Sequence, residues 1–416
     1  MTRASLRVGV LGAGTVGREV IRALVDDAER LRTADGCSLT LVAVAVRDVD
    51  AATGRGIPTE LLTDAPAHVV ASVDTDVIVE LMGGAEPAQT LIAAALSAGK
   101  PVVTANKQVI AHRGPELEGI SRRTGAALRF EAAVGGGIPV LGALAADLAG
   151  NDIQRVRGIV NGTTNFILTE MARGGQTYAD ALASAQERGY AEADPSGDVE
   201  GRDALNKLAI LARLAFGRWL DPSTIGHRPP APTGWGRPGI TGVTADEMGA
   251  AAALGLRLKL LATAARDGAG EIGAAVVPTA VPDDSAIGRT DGVRNRIEIA
   301  ARPLGEVGFD GPGAGGDATA SAVLGDLVAI ARGQGSTWAG LPLADQGKAS
   351  DPLTDGGHPW FAFLPDNPRA EASMVDMRDL DVAELAGGLA VRTPLLTLAA
   401  ARDRLPGAHA LYPIDD

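Results

Sequence analysis

The sequence predicts an α/β protein followed by a second, α+β domain. Three observations predict it. A glycine pattern, Gly12-Ala13-Gly14-Thr15-Val16-Gly17, stands between an apolar run and an amphipathic one. Strand-like and helix-like runs then alternate as far as residue 135. Beyond Val140 the alternation gives way to helices and longer strand-like runs, the pattern of a mostly antiparallel sheet with helices beside it.

Leu6 to Leu11 (LRVGVL) reads as a short buried strand and VGREVIRALVDDAERL as the helix after it. Each glycine of G-x-G-x-x-G then has a reason: a tight turn, a close backbone approach to a pyrophosphate, and helix-on-strand packing. Phosphates would sit on the backbone from Gly12 to Gly17, at the positive end of the helix. The first domain is therefore expected to be a Rossmann-type NAD(P)-binding domain, a merely tight turn being the plainer alternative. The second strand, LTLVAVAVRD, follows a polar insertion that includes Asp35 and Gly36. It ends in Arg47, where an NAD-specific fold carries a ribose-binding acid, and an arginine there meets a 2′-phosphate. NADP is favoured, with NAD possible because Asp48 is one residue away. A surface Arg–Asp pair is the alternative.

Two more strand-like runs, DVIVELMGG (76–84) and PVVTANK (101–107), flank the helix QTLIAAALSAG. Residues 117–126 look helical and ALRFEAAV is the next strand. Ligands of such a sheet bind at the C-terminal ends of its strands, which is where Lys107 lies. Glu131 to Pro139 (EAAVGGGIP) is glycine-dense, suiting either outward-turned carbonyls around a cation or a hinge. In the second domain RVRGIVNG is a strand, and TNFILTEMARGG is a helix capped by Thr163 or Thr164. YADALASAQERG is another helix, and GITGVTADEMGAAAALGLRLKLLATAA is a strand and one long helix. Residues 311–333 form a glycine loop entering a helix that returns to the cofactor domain. The expected division is 1–135 with 311–340, then 136–310, then a C-terminal extension, 341–416.

Composition bounds the function. With 46% hydrophobic and 21% charged residues, the 416-residue chain is a globular enzyme and not a disordered one. A net charge of −13 argues against nucleic acid or anionic membrane as a partner. The single cysteine, Cys37, fits a reducing compartment. No apolar run is long enough to span a bilayer, and the first strand starts too early for a signal peptide, so a cytoplasmic location is expected.

The chemistry concentrates in Gly189 to Leu211, GYAEADPSGDVEGRDALNKLAIL, a loop that closes as a helix. Asp203 and Lys207 are one helical turn apart on one face. A solvated ion pair would explain that spacing. Two features favour more. Five carboxylates (Glu192, Asp194, Asp198, Glu200, Asp203) are expected to converge on Lys207, and the chain has only five lysines among its 38 basic residues. Lysine, unlike arginine, can give up a proton, so Lys207 is the candidate acid/base.

These motifs together resemble the homoserine dehydrogenases over roughly residues 7–333: GAGTVG, VELMGG, TANK, EAAVGGGIP, NGTTNFIL, GYAEADPSGDVEGRDALNKLAILA, TADEMGAAAALG and GPGAGGDATA. The resemblance implies NAD(P)-dependent interconversion of L-homoserine and L-aspartate 4-semialdehyde, in threonine and methionine biosynthesis. It implies Lys207 as proton donor and acceptor, with Lys107 as the second lysine of the site. It implies Glu192 and Asp203 as substrate-binding carboxylates. Gly189 and a glycine of the 313–316 loop, taken as Gly315, would be cofactor contacts beside Lys107. Glu131 with the backbone of Val134, Gly136 and Ile138 would hold a sodium ion. Such enzymes are homodimers or homotetramers paired through the second domain.

Two rivals are weighed. A phosphorylating semialdehyde dehydrogenase needs a cysteine nucleophile, and Cys37 lies in the wrong place. A catalytically inactive NAD(P)-binding regulator would not need Lys207, Asp203 and Lys107 together. Many members of the family carry a C-terminal βαββαβ (ACT) module that binds threonine. Residues 346–416 do not read as one: WFAF is a single apolar run, SMVDMRDLDVAELAGG is acidic, and one strand and one helix follow. The extension is expected to pack over the cofactor domain through Trp360, Phe361 and Phe363, with no threonine response.

Overall fold

The computed structural model describes residues 5–34, 36–365 and 379–415. Asp35 and the acidic stretch up to Arg378 fall outside them. The chain forms two compact units, one of Met1–Asn151, Ala209–Trp219 and Gly311–Gly347, the other of Asp152–Leu208, Leu220–Asp310 and Lys348–Asp416.

In the first unit β1 (Ser5–Leu11), β2 (Ser38–Ala45), β3 (Leu62–Thr63), β4 (Val77–Glu80), β5 (Val102–Thr104) and β6 (Leu128–Arg129) form a parallel sheet, ordered β3-β2-β1-β4-β5-β6. The order reverses beside β1, which makes the C-terminal end of β1 a topological switch point. Val8, Val10, Val77 and Val79 are fully buried in this sheet. Helices Thr15–Asp26 and Gly316–Ala331 share its core through Val20, Leu24, Val323 and Leu327.

Helix Lys107–Thr124 differs from the sequence expectation. PVVTANK stops being a strand at Thr104, and the helix runs unbroken through Gly114 and Pro115, a pair that reads as a breaker. Packing decides it. A Cβ on Gly114 would come within 2.3 Å of the Trp219 ring, so glycine here makes room for a neighbour.

The second unit has a five-stranded sheet ordered Ile272–Pro282, Leu256–Arg266, Asp152–Ile159, Arg294–Arg302, Gly305–Pro312. One expectation is corrected here. Helix Ala245–Ala253, started by a Thr244/Glu247 capping box, ends before Gly255 (φ +68°), and LRLKLLATAAR is a strand. Leu, Ala and Lys favour helix locally, but this segment pairs along its whole length with Ile272–Pro282.

The C-terminal expectation is corrected more deeply. Strands Trp360–Pro365, Asp381–Leu385, Gly388–Arg392 and Tyr412–Pro413 make an antiparallel sheet in the order second, third, first, fourth. Helix Leu398–Arg404 lies between the third and fourth in sequence. The four strands that a βαββαβ module requires are therefore present, and the argument for threonine insensitivity falls with the misreading. From Lys348 onward this segment belongs to the second unit. Trp360, Ala362 and Leu364 share a core with Ala275 and Val277 of the second unit, and Phe361 stacks on Tyr412. The first of these strands is buried throughout but for Pro365, so it lacks the alternation that announces a strand, and the fourth is too short to show any.

Candidate active site

Gly12, with φ +100°, leaves β1 so tightly that a Cβ would lie 2.7 Å from the Leu81 carbonyl oxygen. A Cβ on Gly17 would lie 2.2 Å from the Gly12 carbonyl oxygen, so the third glycine permits the helix to pack on the turn. Gly14 is different: nothing lies within 4 Å of its Cβ position. That open space, at the start of helix Thr15–Asp26, is where a pyrophosphate needs the backbone bare. Gly315 (φ +114°) precedes helix Gly316–Ala331, and a Cβ on Gly316 would lie 3.1 Å from the Thr15 carbonyl oxygen. The two glycine loops therefore adjoin. This cradle fits a dinucleotide.

Arg47 is exposed just beyond β2. The neighbouring acid is already engaged, because Asp48 Oδ1 accepts from the Ala51 amide at 2.8 Å and caps a short helix. Lys107 is the first residue of its helix, at the C-terminal end of β5. A buried polar chain positions it, which sequence reasoning missed. Thr104 Oγ1 donates to Glu80 Oε2 at 2.7 Å, and Thr104 Oγ1 accepts from the Asn106 amide at 3.0 Å. Asn106 Nδ2 donates to the Gly84 carbonyl at 2.7 Å while its Oδ1 caps the helix at Val109. VELMGG and TANK, noticed separately in the sequence, are thus one hydrogen-bonded corner.

Glu131 is buried at the end of β6. Its Oε1 accepts from the Leu141 amide at 2.9 Å and its Oε2 from the Gly142 amide at 2.7 Å. Burial, then the charge of Asp326, raises its pKa to about 7 against the pull of those two amides. Each carboxylate oxygen keeps a further lone pair. Val134, Gly136 and Ile138 follow on a loop where a Cβ on Gly136 would lie 2.6 Å from the Gly313 carbonyl group. The Ile138 carbonyl accepts from Val140 at 2.9 Å. Among the described residues no group of three or more His, Cys, Asp or Glu could hold a metal.

In the second unit, helix Arg202–Phe216 presents Lys207 on a buried face; its residues up to Leu208 belong to this unit. Lys207 Nζ donates to Asp203 Oδ2 at 2.7 Å and to the Val160 carbonyl at 2.6 Å. Asn161 Nδ2 donates to Asp203 Oδ2 at 2.9 Å and to Asp198 Oδ1 at 2.7 Å. Desolvation raises the Asp198 pKa, the Asn161 hydrogen bond opposes this, and the charge of Asp203 adds to it.

The expected convergence of five carboxylates is corrected. Asp203 alone bonds Lys207, and Asp198 joins through Asn161. Asp194 caps the Ser196 amide at 3.0 Å, Glu200 pairs with Arg202, and Glu192 is exposed, its carbonyl accepting from Gln186. In a loop the chain reverses within a few residues, so nearness in sequence sets no common direction for side chains. Gly189 (φ +73°) ends helix Tyr178–Glu187. Helix Gly162–Gly174 is capped by Asn161 at 2.8 Å and not by Thr163 or Thr164. Asn161, Thr163 and Thr164 are all residues that cap helices, and only backbone geometry selects among them.

Residues 12–131 match the family model described as the NAD-binding domain of homoserine dehydrogenase, and residues 139–328 the model for homoserine dehydrogenase itself. The homoserine dehydrogenase of Mycobacterium tuberculosis is 44% identical over 352 residues, covering 82% of this chain and 77% of the relative. That of Corynebacterium glutamicum is 41% identical, over 83% of this chain and 78% of its own. The crystal structure of a homoserine dehydrogenase from Thiobacillus denitrificans superposes with a TM-score of 0.86 at 32% identity, covering 99% of this chain and 98% of that one. A hyperthermophilic archaeal homoserine dehydrogenase in complex with NADPH gives 0.64 at 29%, over 78% of this chain and 97% of that one.

Proposed function

The chain belongs to the homoserine dehydrogenase family, and from that premise we propose how its own residues divide the work. It is an NAD(P)-dependent oxidoreductase that interconverts L-homoserine and L-aspartate 4-semialdehyde. An alcohol and an aldehyde differ by a hydride at carbon and a proton at oxygen. The nicotinamide cofactor, when bound, supplies or takes the hydride. The protein must manage the proton.

Lys207 manages it, and the observation that carries this is its pair of bonds to Val160 and Asp203. As an ammonium it has three N–H donors, and those bonds take two. The third serves the substrate oxygen, polarising an aldehyde and then protonating the alkoxide. In the oxidative direction the neutral amine keeps its two hydrogens on the same acceptors and turns its lone pair to the substrate hydroxyl. Asp203 supports the charged form by its own negative charge. Glu192 and Asp203 hold the α-ammonium of the substrate, and Lys107 is the second lysine of the site.

The backbone from Gly12 to Gly17, with Lys107, Gly189 and Gly315, holds the dinucleotide. Arg47 is assigned the 2′-phosphate, so NADP is preferred. Support comes from Asp48, whose carboxylate is occupied as a helix cap. Glu131 with the carbonyls of Val134, Gly136 and Ile138 holds a sodium ion, a role supported by its burial and its raised pKa. Subunits associate as a homodimer or homotetramer through the second unit, in the cytoplasm; among the described residues no helix is long and apolar enough to cross a membrane.

The test is Lys207→Ala beside Lys207→Arg in homoserine-dependent NADP reduction. Both should lower kcat by roughly 10²-fold or more with nucleotide affinity retained, since a guanidinium does not cycle its proton. Near-normal turnover in the arginine variant sinks the assignment.

A further inference from the structure

Asn161 occupies the short connection between strand Asp152–Ile159 and helix Gly162–Gly174. It is 5% exposed, and both ends of its carboxamide are engaged. Oδ1 accepts from the Thr164 amide at 2.8 Å and from the Thr164 hydroxyl at 3.0 Å. A backbone amide only donates, so the atom facing it is the oxygen. The nitrogen therefore faces the two carboxylates, which only accept, and its two hydrogens go one to each: Asp198 Oδ1 at 2.7 Å and Asp203 Oδ2 at 2.9 Å.

Asp203 Oδ2 is the same oxygen that receives Lys207 Nζ, and the residue before Asn161 supplies the carbonyl that receives the other Lys207 bond. Two consecutive residues thus hold the ammonium and its counter-ion, one by a backbone carbonyl and the other by a side-chain amide. Two carboxylates brought this near to each other repel, and the ordinary relief is a shared proton. A neutral group with two N–H donors between them supplies a different relief. It stabilises both as acceptors without adding a charge that would compete with Lys207 for Asp203.

We propose that Asn161 is a positioning residue for the acid/base, its side-chain amide holding Asp203 against Lys207 and keeping Asp198 and Asp203 apart as separate acceptors. This rests on the reading of Lys207 as the proton donor and acceptor. Asn161 also caps a helix, so its substitution needs a control for folding, and the chemistry offers one. Aspartate caps helices as well as asparagine does and has nearly its shape. Asn161→Asp therefore keeps the bond from Thr164 while replacing two donors by a carboxylate. Asn161→Ser keeps a capping oxygen and loses the donors without adding charge.

The experiment is the pH dependence of kcat/KM for homoserine oxidation by the full-length enzyme, for wild type, both Asn161 variants and Lys207→Ala, with thermal unfolding of each. Oxidation needs a neutral lysine, so the rate rises with pH along the limb that lysine governs. Asn161→Asp should lower the plateau by roughly 10²-fold and move that limb to higher pH by about one unit, because a third carboxylate beside the ammonium favours the charged form. Asn161→Ser should lower the plateau by about 10-fold and move the limb modestly to lower pH, because Asp203 is no longer held against the ammonium. A mere helix cap would alter thermal unfolding and leave the limb where it was. Unmoved limbs and plateaus in both Asn161 variants, with Lys207→Ala inactive, overturn this inference alone. Retained activity in Lys207→Ala overturns the reading beneath it, and this inference with it.

Discussion

Glu118 and Arg213 form a buried pair in the first unit, and their removal gives the sharpest stability prediction. Glu118 is 1% exposed and Arg213 fully buried. Glu118 Oε2 accepts from Arg213 Nε at 3.0 Å and from Trp219 Nε1 at 2.8 Å; Oε1 accepts from Arg213 Nη2 and Arg122 Nη2, each at 2.7 Å. Burial pushes the carboxyl pKa up, but the hydrogen bonds from Arg213, Trp219 and Arg122 outweigh it and hold it below its ordinary value. Glu118→Ala removes the acceptor of these donors, and of Arg122 Nε, which also gives to Oε1 at 2.9 Å, and it leaves the Arg213 guanidinium in the interior with no counter-charge, which costs about 3–5 kcal/mol. Glu118→Met with Arg213→Met removes both buried charges; the buried Trp219 N–H is left without its acceptor, while Arg122, part-exposed, exchanges its lost partner for water, a loss of about 1–3 kcal/mol. The double variant should therefore be the more stable of the two by about 2 kcal/mol. Urea unfolding of the full chain, followed by tryptophan fluorescence, measures both, since Trp219 lies edge-on to Trp338 at 6.4 Å. A single variant within about 1 kcal/mol of wild type, or a double variant no better than the single, would refute the reasoning.

Arg47→Ala should weaken NADPH by about 2–3 kcal/mol and leave NADH nearly unchanged, as read by titration of each nucleotide; equal losses would make Arg47 structural. Lys259, bonded to Asn165, Thr290 and Asp291, has its pKa lowered to about 8, by burial against the pull of Asp291. Above that pH the folded protein has released a proton that the unfolded chain keeps up to about 10.5, so this group's contribution to stability rises with pH across the window. The stability of wild type relative to Lys259→Met should increase by about 2 kcal/mol between pH 7 and pH 9.5, and a flat difference would contradict it. Trp360→Ala should destabilise the second unit by about 3–5 kcal/mol, and deleting residues 348–416 should yield an unfolded protein and not a desensitised enzyme. Full homoserine oxidation by that truncated chain would show that the C-terminal sheet is dispensable to the core it joins.

What the sequence by itself determined follows from short-range physics. The glycine turn between strand and helix was legible from residues 12–17, because Gly17 must pack on the Gly12 carbonyl within the turn itself; that Gly12 also makes room for the Leu81 carbonyl only the fold shows. Lys207 and Asp203 could be set on one face from helical spacing alone, and the acid/base candidate came from that together with the rarity of lysine. Where a second segment had to be known, local preference misled. LRLKLLATAAR has the composition of a helix and is a strand because Ile272–Pro282 offers it a ladder. PVVTANK reads as a strand and 117–126 as a helix, yet the strand stops at Thr104 and the helix starts at Lys107, packed through Gly114 on Trp219. WFAFL reads as a lone apolar run and is the inner strand of a sheet packed on Ala275 and Val277. The site shows the same division. Its lysine was visible, but Asn161 reaches carboxylates 37 and 42 positions away, and Glu80 reaches Thr104 across 24. A hydrogen bond is specified by the position of both partners in space, and a single sequence states only their order along the chain.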